Sequence, residues 1–142
     1  MVDAVSSRLL SALEQSVARV TALRRPSAEA LAADRDGLDL VAFNLMIAVQ
    51  IASDLAAHVI ARAGLRSPSS VAESFEVLAE GGIISPGTAR QLARASGLGN
   101  VVAHACHRVD PTMVHAASVD GLVDLESYAR EVAAWLASHP QG

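Results

Sequence analysis

The residues most able to do chemistry lie close together in the stretch GLGNVVAHACHRVD, from Gly97 to Asp110. On an α-helix, His104 has His107 and Arg108 as its i+3 and i+4 neighbours, so the three would share one face. Histidine transfers protons near neutral pH and arginine stabilises negative charge on phosphorus, a combination suited to phosphodiester cleavage without a metal ion. A histidine on a helix is more often structural or solvated, so the residues alone indicate only a candidate site at His104.

The charge around this stretch is basic, although the chain is acidic as a whole. Its formal net charge of −4 argues against general adhesion to nucleic acid. Between Glu80 and Asp110, however, there is no acidic residue, while Arg90, Arg94 and Arg108 are present. The four-residue spacing of Arg90 and Arg94 is typical of a solvated helix face. No glycine-rich phosphate loop, serine nucleophile motif or metal-ligand spacing is evident, so we expect no metal and no cofactor.

The bulk properties predict one soluble domain spanning residues 1–142. The single Cys106 cannot form a disulfide within the chain, which favours a reducing compartment. The amino terminus lacks the pattern of a signal peptide. The longest uncharged run, residues 40–53, contains Asn44 and Gln50 and is too short to span a bilayer. We therefore expect a cytoplasmic protein with no membrane partner.

Apolar residues at helical spacing predict an all-α fold, an antiparallel bundle of five or six helices. The predicted segments are a helix from about Asp3 to Arg24, a short turn from Ser27 to Leu31, a bend at Asp34–Gly37, a helix from about Leu38 to Ala63, a short helix opened by Ser70, a helix from Ser85 to about Ser96, a further turn or two after Gly97, and helices from Asp110 to before Pro140.

The helix predicted from about Leu38 to Ala63 is apolar around almost its whole circumference. Such a helix is buried on several sides, or is covered on one side by another subunit. For a chain of 142 residues, a second copy is the simplest cover. The sequence therefore predicts a homodimer.

Three segments of the chain together resemble the HepT-like branch of the HEPN superfamily. They are VAFNLMIAVQIASDLAAHVIARAGL, SFEVLAEGGIISPGTARQLARASGLGNVVAHACHRVD and DGLVDLESYAREVAAWL, and the similarity runs in order from about Leu38 to Leu136. The resemblance implies a homodimeric helical bundle whose two motif copies line a shared cleft. It also implies a metal-independent endoribonuclease toxin that acts on RNA and is paired with a nucleotidyltransferase antitoxin of the MntA kind.

The family motif is an arginine, a polar residue, three more residues, a histidine, one residue and a tyrosine. By resemblance, the polar residue is Asn100 and the catalytic histidine is His104. Gly99 stands at the arginine position, and Cys106 stands at the tyrosine position to which the antitoxin adds AMP. The second helix carries Ala42-Phe43 where the family usually has a Glu-Arg pair. The scaffold is therefore kept while polar functional positions have changed.

Three interpretations of this altered motif stay open. The chain is a HepT-like protein that has lost most nuclease activity and persists as a binding or regulatory partner. Alternatively, it is an active ribonuclease in which Arg108 has replaced the missing arginine, with the two His104 side chains of a dimer acting as acid and base. The third interpretation is a purely structural dimer without catalysis.

Overall fold

The structure is a computed structural model that describes the backbone of residues 2–104 and 109–140 and the side chains of residues 2–97 and 109–140. Its elements are α1 (Ala4–Leu23), α2 (Ala28–Ala32), α3 (Arg35–Ala63), α4 (Val71–Glu80), α5 (Pro86–His104), α6 (Pro111–Ala116), a π-helical turn (Ala117–Gly121) and α7 (Leu122–Ser138). The last three form one continuous helical run, which leaves six separate helices and no strand among the described residues. The predicted all-α fold is confirmed.

The four long helices alternate in direction. Asp3, at the start of α1, lies against His58 and Arg62 near the end of α3, so α1 and α3 are antiparallel. The Tyr128 hydroxyl donates to the Ala52 carbonyl oxygen, and the Arg62 guanidinium donates to the carbonyl of His139, so α7 runs parallel to α3. The start of α5 lies against Glu131 of α7 and Arg94, further along α5, lies near Asp124 at the start of α7, so α5 is antiparallel to α7. The result is the predicted antiparallel bundle.

The long helix α3 is the centre of the fold. Twelve of its residues are buried, and it packs against α1, α4 and α5. Its length and apolar composition would also suit a membrane span, a property that core helices of soluble proteins share. Buried leucines, valines and the edge-to-face pair of Phe75 and Tyr128 complete the core around it. This helix therefore determines how the other helices are placed.

The predicted helix starts follow local capping chemistry. The Asp3 carboxylate accepts from the Ser6 N–H, and the hydroxyls of Ser27 and Ser70 accept from backbone N–H groups three residues onward. Asp110 caps α6 in the same way. At the other end of α3, Gly64 adopts φ 69°, the left-handed conformation expected of a glycine C-cap. These short-range signals were predictable because each one depends on residues within one turn.

Two sequence predictions about helix ends are wrong. Asp34–Gly37 is not a bend: the Asp34 carboxylate accepts from the Gly37 N–H at 3.0 Å and begins α3 there. The helix predicted to end near Ser96 instead continues to His104 through Gly97 and Gly99. A side chain at Gly97 would meet no neighbouring atoms, so this glycine is on an open helix surface and costs the helix only about 1 kcal/mol relative to alanine.

The π-helical turn interrupts the run of α6 into α7. A π turn holds one more residue than an α turn, which shifts the backbone hydrogen bonds around it. The carbonyl oxygen of Ser118 accepts from the Arg24 guanidinium at 3.2 Å, and the Ser118 hydroxyl donates to the His115 carbonyl. The turn is thus tied to the end of α1.

A polar clamp made of Asp3, Ser6, His58 and Arg62 holds one end of the bundle together. One carboxylate oxygen of Asp3 lies 3.0 Å from His58 Nε2, and the other accepts from Arg62 Nη1 at 2.9 Å. The side chains of Asp3 and Arg62 are each only 10% exposed. Burial alone would raise the pKa of the Asp3 carboxyl, but the hydrogen bonds from Ser6 and His58 and the His58 charge hold it well below its usual value of 3.8.

We predict that Asp3→Ala lowers the free energy of unfolding at pH 7 by at least about 1 kcal/mol, because it removes a helix cap together with a mostly buried ion pair. The lowered pKa of Asp3 means that its stabilisation is complete above the unfolded-state pKa of about 3.8 and is lost progressively as pH falls from there towards the lower folded-state pKa. Urea denaturation at pH 7 and pH 3 should therefore show a difference between wild type and variant that shrinks in acid.

The matched control is Asp39→Ala, since Asp39 is an exposed aspartate on α3. A surface substitution of this kind should change the unfolding free energy by less than about 0.5 kcal/mol. Equal effects of Asp3→Ala and Asp39→Ala at pH 7 would contradict the clamp.

Candidate active site

The candidate motif lies on the last two turns of α5. The helical backbone runs through Gly99, Asn100 and His104, and it separates the last two by about one turn. The side chains of these residues lie outside the described part of the structure. The backbone thus gives the motif a helical frame, while the roles predicted for Asn100 and His104 remain predictions.

The remaining predicted site residues lie outside the described residues altogether. These are Arg108, the arginine predicted to replace the missing one, and Cys106, at the position of the family tyrosine. The i+4 relation between His104 and Arg108 was inferred on the assumption of a continuous helix, and it stays a prediction.

The amino-terminal end of α5 is fixed to α7 by one carboxylate. Glu131 accepts from the Ser85 N–H at 2.7 Å and from the Thr88 hydroxyl at 2.6 Å. Towards the other end of α5, the Arg94 charge acts on Asp124 at the start of α7. Because α5 is antiparallel to both α3 and α7, its carboxyl-terminal turns lie at the end of the bundle where α3 and α7 begin.

An apolar stripe on α3 lies towards this same end of the bundle. Leu40 is 45% exposed and Phe43 is 53% exposed, and the half-buried Ile47 follows one turn later. The spacing of three and four residues places all three on one side of α3. The stripe shows that one copy of the chain does not cover its most apolar helix completely.

A groove of about 480 Å³ runs between α4 and α5. Its floor is formed largely by small side chains, its α4 wall carries Glu76 and Glu80, and its α5 wall carries Arg90 and Arg94. The sequence interpretation treated the two arginines as a solvated face. They are indeed exposed, but they also form the basic side of a shaped surface on the helix that carries the motif.

A second cavity, of about 670 Å³, lies beside the polar clamp. His58, Arg62, Trp135 and His139 line it, and the ring of His139 stacks on Trp135 at 4.3 Å. The Arg62 guanidinium lies 5.8 Å from the centroid of the Trp135 ring. It also donates hydrogen bonds to the Asp3 carboxylate and to the His139 carbonyl. These polar groups satisfy one another, so the cluster acts as a structural junction at the opposite end of the bundle from the motif.

The sequence did not predict this junction. The only local signal was that Asp3 precedes the first helix, and nothing in the sequence connects it to residues more than fifty positions away. Within the described ranges, no group of three metal-binding side chains comes together.

The only tyrosine of the chain, Tyr128, is fully buried. Its hydroxyl donates to the Ala52 carbonyl oxygen at 2.8 Å, and burial raises the pKa of this hydroxyl far above its usual value. Tyr128 therefore packs in the core and does not present its hydroxyl at the surface.

A comparison with protein families finds a match over most of the chain. The family model described as ribonuclease HepT-like covers residues 13–132, which include α3, α4, α5 and the motif. No curated protein sequence matches the chain significantly.

Solved structures with the same fold include toxins bound to their antitoxins. One, described as a toxin–antitoxin with AMP-PNP, has a TM-score of 0.85 at 20% identity and covers 93% of this chain and 99% of its own. A tri-AMPylated HEPN toxin of Shewanella oneidensis in complex with MNT antitoxin has the same score and identity, covering 93% and 98%. YutE of Bacillus subtilis, described as a cytosolic protein of unknown function, has a TM-score of 0.84 at 12% identity, covering 99% and 96%. At these identities the similarity shows the fold.

Proposed function

We propose that this chain, which belongs to the HepT-like ribonuclease family, is the toxin component of a toxin–antitoxin pair and acts in the cytoplasm as a single HEPN-like domain. Its partner would be a minimal nucleotidyltransferase of the MntA kind. The observation that carries the proposal is the family match over residues 13–132, which contains the helix bearing Asn100 and His104. The likeness to HEPN toxins solved with their antitoxins supports it.

The nuclease activity of this toxin is weak or lost. His104 retains a group that can transfer protons, which contributes roughly 10²–10⁴-fold to the rate of such reactions. Gly99 offers no positive charge to the phosphate, and losing one such donor costs on the order of 10²–10³-fold. Asn100 keeps the polar position of the motif. The protein thus binds its partner and cleaves RNA poorly.

The apolar stripe of Leu40, Phe43 and Ile47 is the surface through which two copies associate. A contiguous exposed apolar patch that includes an aromatic ring is typical of a surface that a partner covers. The stripe lies at the end of the bundle towards which the motif turns of α5 point. A two-fold interface there would bring two copies of His104 towards one cleft, as the family resemblance implies.

The dimer can be tested by replacing exposed apolar residues of the stripe. We expect wild type to sediment as a dimer at micromolar concentration. Leu40→Ser with Phe43→Ser should weaken association at least tenfold, because loss of one central anchor residue costs about 2 kcal/mol and a tenfold change corresponds to about 1.4 kcal/mol. Val71→Ser is the matched control, since Val71 is 43% exposed but lies on α4. A monomeric wild type, or a control that dissociates equally, would remove the proposal.

Cleavage of labelled RNA in the presence of EDTA tests catalysis. We expect little cleavage by wild type, a gain on the order of 10²-fold for Gly99→Arg, and loss of that gain when His104→Ala is added. Gly97→Arg is the matched control because it adds the same charge to the same helix, at a position where a side chain meets no neighbour. A gain in that control equal to Gly99→Arg would show that charge alone is responsible.

Arg108→Ala in the otherwise unchanged protein separates the two enzyme interpretations. Measurable wild-type cleavage that disappears in this variant would favour the recruited Arg108. Strong wild-type cleavage that persists in His104→Ala would overturn both, and inactivity of Gly99→Arg would favour the structural dimer.

Modification by the antitoxin can be tested by intact mass after incubation with the cognate nucleotidyltransferase and ATP. We expect no AMP addition within residues 99–108, because Cys106 stands at the acceptor position, and none on Tyr128, whose hydroxyl is buried. Cys106→Tyr restores the missing acceptor and should gain the mass of AMP. AMP mapped to residues 99–108 of the wild type would contradict the prediction.

A further inference from the structure

The helix that carries the motif has a basic, acid-free surface. Residues 86–104 contain no aspartate or glutamate, and Arg90 and Arg94 stand one turn apart on the exposed side of α5. All eleven basic residues of the chain, counted without histidine, are arginines. Arginine presents a planar set of donors that suits phosphate oxygens. The pair on α5 therefore has the chemistry of a phosphate-binding surface.

Three of the eight other arginines in the described part of the chain are committed to ion pairs. Arg25 binds Asp34 at 2.9 Å, and Arg62 binds Asp3 at 2.9 Å. Arg66 binds Glu80 at 2.9 Å and also contacts Glu73. Among the described residues, no carboxylate lies within 4 Å of the other five or of Arg90 and Arg94. Arg90 and Arg94 differ from those five because they lie one turn apart on the helix that carries the motif. Their charges are therefore available to a polyanion.

Three acidic side chains face the arginine pair from the neighbouring helices. Glu76 and Glu80 lie on the α4 wall of the groove, and Asp124 lies on α7 within the electrostatic reach of Arg94. Both oxygens of Glu80 are engaged by Arg66, which lowers the pKa of Glu80 and offsets its charge. Because carboxylates on both sides repel phosphate, a nucleic acid strand is restricted to the outward-facing surface of α5.

We infer that Arg90 and Arg94 are positioning residues that hold the RNA backbone on α5 and lead it towards Asn100 and His104. The inference rests on the proposed ribonuclease function. With a helical rise of about 1.5 Å per residue, Arg94 is about 9 Å from Asn100 along the axis, and Arg90 is about 21 Å from His104. A single strand of a few nucleotides spans that length. The arginines touch phosphate, whereas His104 is the residue that acts on the scissile bond.

The test measures RNA binding rather than cleavage. In the full-length His104→Ala protein, fluorescence anisotropy of a labelled 12-nucleotide single-stranded RNA is recorded over a range of salt concentrations. We expect Arg90→Gln with Arg94→Gln to weaken binding at least tenfold at low salt. The slope of log binding constant against log salt concentration should become shallower by about 1.4, since each phosphate contact to a single strand contributes roughly 0.7 to that slope. The paired Arg→Lys variants retain the charge and should retain the salt dependence.

Arg8→Gln with Arg19→Gln is the matched control, because it removes two exposed charges from α1. Unchanged binding in this control, with thermal melting equal to wild type in all variants, supports the inference. Equal weakening in both glutamine pairs, unaffected binding in the α5 pair, or no RNA binding by the His104→Ala protein would overturn it. The proposed function can fail separately from this inference. If RNA binding depends on Arg90 and Arg94 but Gly99→Arg does not cleave RNA, the binding surface is supported and the nuclease is rejected.

Discussion

The burial of α3 is the constraint on which the rest of this structure depends. A helix of 29 residues with apolar side chains on nearly every side has a large area to remove from water, and the hydrophobic free energy scales with that area. The antiparallel α1 covers one side, and α4 and α5 cover others. Because α1, α4 and α5 all pack on α3, its burial determines how they are placed around it. The one side that stays open, at Leu40 and Phe43, is the side for which we propose a second copy.

The directions of the helices also explain why the candidate site lies where it does. α5 is fixed at its start by Glu131 of α7, and from there it extends along the core to the far end of the bundle. The clamp around Asp3 occupies the opposite end, where it joins the start of α1 to the ends of α3 and α7. The clamp and the candidate functional residues are thus separated by the length of the bundle. A change at the clamp should alter stability without direct contact with the motif.

Much of the fold could be predicted from the sequence because it depends on short-range chemistry. Asp3, Ser27, Ser70 and Asp110 cap helices through atoms two or three residues away, and the apolar periodicity of α1 and α7 follows from one turn to the next. Asp34 was misread because its carboxylate can begin a helix as readily as a bend.

The polar clamp and the α4–α5 groove could not be predicted, because each joins residues that only tertiary packing brings together. For the site, the sequence placed Asn100 and His104 on one helical segment, and the backbone agrees. Their catalytic roles rest on the family motif and on the proposed experiments. The local sequence pattern did not predict where this segment lies relative to α3, because that position depends on how the whole helices pack and in which direction each one runs.

The π turn at Ala117–Gly121 has a consequence for how this chain can change in length. It accommodates one surplus residue within a continuous helical run, and the buried Val114 before it and Leu122 after it both remain in the core. A regular α-helix of the same sequence would rotate everything after the turn by about 100° and expose residues that now face inward. The turn therefore lets the helical segments before and after it each keep their own apolar face towards the core. Deletion of one residue at this point would convert the turn to a regular α-helical turn and leave both flanking faces in the core, so homologous chains that are one residue shorter here can keep the same core.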